Sequence, residues 1–156
     1  MTSFALSSKS AAGFFSASEA IPANSGKAPE IAKGQFEFSL KGEKIANIVG
    51  KDVTLKSGTF EYADGVVVHG NVLEGYLKVN GTLIVFHTAT ITAKIRCKRL
   101  IVLGRIDSPI VIVDELAVLW SGACNTTKGL YVTNIQMTEE FMLSGNAKHR
   151  SEFQEG

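Results

Sequence analysis

The chain predicts an all-β fold, a β-solenoid of about six coils, on three observations. Short apolar runs recur at a period of about seventeen residues. These runs are rich in Val, Ile, Leu and Thr and alternate locally, as strands do. Fifteen glycines stand against three prolines, and Pro22 and Pro29 fall within the first thirty residues. A long stretch containing only Pro109 suits extended strands joined by tight corners.

The 156 residues are 45% hydrophobic and 20% charged, an ordinary globular balance with enough apolar material for a core. A net charge of +1 argues against a dedicated nucleic-acid binder. No apolar run approaches the ~18 residues of a membrane span. Cys97 and Cys124 form no CxxC pair, which argues against a disulfide framework.

Residues 1–34 are mostly Ala, Ser, Gly and Lys and read as a flexible head. They lack a signal peptide's sustained apolar region, since Glu19 follows soon after Phe14 and Phe15. Phe4, Leu6, Phe14 and Phe15 are bulky for a linker and are the candidates for a membrane contact.

Residues 35–141 form the expected repeat domain. VVVHG (66–70), LIVFH (83–87) and LIVLG (100–104) start seventeen residues apart, and LAVLW (116–120) keeps the step through Ala117. One column reads Val49, Val66, Leu83, Leu100, Ala117, a second Val68, Val85, Val102, Leu119, and a third Leu55, Val72, Ala89, Ile106, Ala123. A second set of runs, containing Leu77, Ile95, Ile112 and Leu130, lies between them, so each coil holds at least two strands. Helix-pair repeats need more than ~30 residues. At ~4.8 Å per coil, six coils make a rod of roughly 29 Å. Residues 142–156 are polar and read as a flexible tail. Before them, TEEFML (138–143) predicts a short helix with Thr138 as N-cap.

A solenoid's terminal coils present unpaired backbone groups that template association. The apolar candidates for such an interface are Phe36, Phe38 and Leu40 at one end, and Leu130, Tyr131, Val132 and Phe141 at the other. On the VVVHG-type strands the outward columns, Val67, Ile84, Ile101, Val118 and His69, Phe86, Leu103, Trp120, are also largely apolar. A strand apolar on both faces is usually covered on both. This predicts a lateral stripe with Phe86, Leu103 and Trp120 prominent, unless a bulge turns some of them inward. Lys94, Arg96 and Lys98 alternate along one strand as a basic stripe, either a solvated face or a contact for an anionic surface.

The stretch from Val66 to Trp120 resembles the bactofilins, bacterial polymer-forming cytoskeletal proteins, in its Gly-punctuated alternation of Val, Ile and Ala. The resemblance spans roughly residues 45–135. It implies a right-handed parallel β-helix that polymerises end to end, without nucleotide, into non-polar filaments. It also implies a cytoplasmic scaffold that in some members attaches to the inner membrane through an N-terminal peptide and recruits cell-wall enzymes or other partners. Gly70, Gly75, Gly81 and Gly104 keep the family's glycine beat, while His87 and Ser121 stand at the Gly70/Gly104 position.

No catalytic, cofactor or metal site is expected. His69 and His87 lie eighteen apart, but nothing completes a three- or four-ligand set. No P-loop, dinucleotide fingerprint or nucleophile elbow occurs. Cys97 and Cys124 read as small buried hydrophobes. A competing enzyme class is the left-handed hexapeptide-type acyltransferase or carbonic anhydrase, because Leu77, Leu83, Ala89, Ile95 and Ile101 are six apart; the series fails at Asp107. A further alternative is a monomeric β-solenoid adaptor.

Overall fold

The computed structural model describes residues 3–5, 29–33, 37–39 and 44–153. Strands follow one another as β1 (Ser3–Ala5), β2 (Glu30–Lys33), β3 (Glu37–Ser39), β4 (Ile45–Val49), β5 (Thr54–Tyr62), β6 (Gly65–Val68), β7 (Asn71–Val85), β8 (Thr90–Ile91), β9 (Lys94–Val102), β10 (Arg105–Leu119), β11 (Ala123–Met137), β12 (Met142–Ser144) and β13 (Ala147–His149). A 3-10 turn, Arg150–Glu152, closes the described chain. Among the described residues, eleven strands join in one parallel system, and β1 pairs with β3 antiparallel.

This is a β-solenoid of about six turns, as the repeat predicts. Each coil has three walls rather than the minimum of two. The first wall stacks β4, β6, the ends of β7, β9, β10 and β11, and finally β2. The second stacks the starts of β5 and β7, then β8, the starts of β10 and β11, and β12. The third stacks the remainder of β5, β7, β9, β10 and β11, then β13. β7, β10 and β11 are fifteen residues long because each runs through corners into successive walls.

Alternation turns one column per wall inward, and stacking places like residues on like. The first wall carries Val66, Leu83, Leu100, Ala117 and Ile135, all buried, with Val68, Val85, Val102 and Leu119 beside them. Three expected columns shift. Asn47, not Val49, lies beside Val66, because the corner between Val49 and Thr54 holds two extra residues: Val49 pairs with Val68, but Thr54 with Asn71. In the second wall the buried column is Val72, Ile91, Ile106, Cys124, so Ala89 and Ala123 are neighbours of it rather than members. In the third wall Val111, not Ile112, continues Leu77 and Ile95. Coil lengths vary by a residue or two at bulged corners, which a fixed period cannot anticipate.

The corner glycines keep a better beat in space than in sequence. A Cβ on Gly104 would collide with the carbonyl oxygen of Phe86, and one on Gly122 with that of Gly104. Gly122, at φ +89°, thus fills the corner next to Ser121.

The ends differ from the expectation. TEEFML is not a helix: Thr138 and Phe141 are buried, residues 139–140 turn, and β12 begins at Met142. The Thr138 hydroxyl donates to the carbonyl of Trp120 (2.9 Å) and serves a corner, not a helix cap. The expected tail supplies β12 and β13, and the expected head supplies β2, which lies parallel to the end of β11.

Candidate assembly interface

The inward ladders have half-exposed first and last rungs. At the first coil Leu55, Phe60 and Tyr62 face inward and pack on the core, yet each is only partly buried. Val72, Leu77 and Val79, their partners one coil on, are fully or nearly fully buried. At the other end Leu143, Ala147 and Ile31 are the half-buried rungs over Cys124, Leu130 and Ile135. The cause is geometric: a terminal inward side chain has a coil on one side only. Among the described residues, no strand pairs with the outer edge of β4 or β5. Ile48 is 70% exposed and Val53 41% exposed beside that edge.

The described residues of the expected interface do not lie on these terminal rungs. Leu130 and Val132 are fully buried, with β13 between them and the end of the rod. Tyr131 points out of the third wall, where its ring meets Phe153 edge-on at 5.3 Å and Lys148 lies 5.8 Å from its centre. Phe141 is buried at a corner. Phe38 lies in β3, opposite Phe4 of β1, while Phe36, Leu40, Leu6, Phe14 and Phe15 are outside the described residues. The half-exposed inward rungs of the first coil are instead Leu55, Phe60 and Tyr62. Their signal was the alternation Phe60-Glu61-Tyr62 together with Leu55 in a repeat column, which marks the first coil.

The doubly apolar wall is real. Ile84, Ile101 and Val118 stack outward and form a second cluster with Val67, Leu103, Leu116, Trp120 and Ile45. Ile101 is only 2% exposed, so this outer column is covered within the chain itself. Phe86, Leu103 and Trp120 are half-buried. The six-residue series is broken by the same fact, because Leu83 points in and Ile101 points out.

Lys94 and Lys98 are exposed and Arg96 half-buried on the third wall. Register places Lys78 beside Arg96 on one side and Ile112 on the other, so the basic stripe extends for two coils and then stops. Both cysteines are buried. Burial, with Asp114 a lesser cause, pushes the Cys97 thiol far up; burial, then Asp107, pushes Cys124 up to about 12. Such burial leaves little thiolate on either sulfur at neutral pH. Among the described residues no cluster could hold a metal ion, and no helix is long and apolar enough to cross a membrane.

The coils stack in register, and among the described residues the outer edge of β4 and β5 carries no further strand. The family model for bactofilins, described as polymer-forming cytoskeletal, matches residues 47–148. The chain belongs to the bactofilin family. No match was found among curated proteins or among solved structures. The bactofilin match begins within β4 and ends within β13, so it covers the six stacked coils and omits β2. Its polymer-forming description fits the half-exposed terminal rungs of this bactofilin.

Proposed function

We propose that this bactofilin is a non-enzymatic cytoskeletal scaffold that associates end to end with copies of itself, without nucleotide, into non-polar filaments. The observation that carries this reading is the first coil, where Leu55, Phe60 and Tyr62 lie half-exposed beside an edge that no described strand covers. A second copy supplies both missing partners at once, apolar cover for the side chains and backbone groups for the edge. Joining like end to like end makes every joint isologous and leaves the filament without polarity.

The decisive variant is Phe60→Arg, which places a charge on the terminal rung without entering the closed core. Electron microscopy of the wild type at micromolar concentration should show filaments, and Phe60→Arg should stop at dimers joined by the other end. Unchanged filaments would remove this end as an interface. Phe141→Arg is a poorer test, because a buried charge there attacks the fold.

The scaffold works in the cytoplasm, with peripheral attachment to the inner membrane through residues 1–28, which carry Phe4, Leu6, Phe14 and Phe15. Attachment of this kind concentrates the rod at a surface where recruited cell-wall or other proteins gather. Removal of these residues should abolish co-sedimentation with anionic vesicles; retention would show that the basic stripe or another surface binds.

A further inference from the structure

The last coil is completed by the other end of the chain. After β13 a further turn would lay its next strand beside Asn134–Met137. The chain instead enters the turn Arg150–Glu152 and folds onto the outside of the third wall, with Arg150 Nε 2.8 Å from Asp114 Oδ1 and Phe153 against Tyr131. The position beside Asn134–Met137 is taken by β2, in the register Glu30, Ile31, Ala32, Lys33 against Asn134, Ile135, Gln136, Met137.

We propose that β2 is a removable cap on the edge that a second copy of this chain uses for pairing, so that association at this end requires β2 to leave. The inference rests on the end-to-end reading above and adds its control. The edge under β2 suits pairing: Asn134-Ile135-Gln136-Met137 carries no charge, and Ile135 and Met137 continue the buried ladders. The strand above it does not. β2 has four residues, charged at both ends, and follows Pro29, which has no N–H to donate. Short strands bearing charge and proline are how sheets blunt an edge. Within β2 itself, Ile31 is only half-buried against the core and Ala32 is exposed, although Pro29 before it is buried.

The same molecule reaches its own edge. Lys33 and Ile45 stand at opposite ends of the first wall, six strand spacings or ~29 Å apart. Twelve Cα steps separate them in sequence, enough for about 40 Å of extended chain.

A disulfide lock tests the cap in the full-length chain. Ala32 and Gln136 are register partners on the outward side, and adjacent parallel strands bring Cα atoms to ~4.8 Å, within disulfide range. The native thiols are buried and will not compete. Oxidised Ala32→Cys/Gln136→Cys should cross-link within one chain and stop at dimers, and reductant should restore filaments. In parallel, Ile31→Asp should loosen β2 and lower the concentration needed for filaments by about tenfold, equivalent to ~1.4 kcal/mol.

Locked protein that still forms filaments overturns the cap and leaves the end-to-end reading standing. Cross-links between chains, or none at all, overturn it in the same way. Filaments in Ile31→Asp alone, with a wild type that stops at dimers, support it. Wild type, reduced double variant and Ile31→Asp all remaining monomeric would sink both readings together.

Discussion

Gly104 and Cys124 show how closely the coils approach one another. Gly104→Ala drives a methyl group into the Phe86 carbonyl of the preceding coil, backbone that cannot swing aside. The expected loss is about 1–3 kcal/mol, the usual range for overpacking, seen as a lower urea midpoint at unchanged slope. Burial, with Asp107 a lesser cause, keeps the Cys124 thiol protonated in the fold up to about pH 12, well above the ordinary range of a thiol. Below about pH 7.5, roughly a unit under the ordinary thiol value, the folded and unfolded chains hold the same thiol protons, so the cysteines add no pH dependence there. Above that pH the unfolded chain releases protons that the folded chain retains, so stability falls with rising pH. Urea midpoints measured between pH 8 and 10.5 should decline, and a Cys97→Ala/Cys124→Ala chain should decline less. Buried cysteines were legible in the sequence because they sit within strand runs. Gly122 was not, because Ser121 occupies the position that the period assigns to the corner.

At the scale of elements, long central strands were easy to read and short terminal ones were not. β7, β10 and β11 announce themselves by apolar runs repeated at the period. β12 and β13 are three residues each, and their sequences, Met-Leu-Ser and Ala-Lys-His, carry no alternation that local physics could recognise. They are strands because β11 offers them an edge. The same holds for TEEFML: a charged pair after Thr138 favours a helix start locally, but the Trp120 carbonyl takes the Thr138 hydroxyl and the edge takes Met142–Ser144. The final segment is fastened by the Arg150–Asp114 pair, partly open to solvent. Arg150→Ala should cost less than about 1 kcal/mol in global stability. Its clearer effect should be faster proteolysis after Lys148, read as loss of the terminal fragment with the core intact.

For the whole molecule, stacked coils make stability a sum over neighbours, with the end coils the weakest. Hydrogen exchange should therefore be slowest in the coils holding Ile95, Leu100 and Val111 and fastest in the first coil. On filament formation, protection should rise in β4 and β5, whose outer edge no described strand covers. Protection confined to the third wall, around Lys94 and Tyr131, would indicate lateral association instead. Phe60→Arg should erase the gain at β4 and β5 while leaving the central coils unchanged.

The sequence by itself determined the solenoid, its period, most of its inward columns and the doubly apolar wall, since each depends on a pattern repeated every coil. Tertiary structure alone decided the ends. No coil follows to impose the pattern there, so a strand's presence depends on which edge is free and which distant segment can reach it. Strand β2, ordered against residues more than a hundred positions away, is the plainest case.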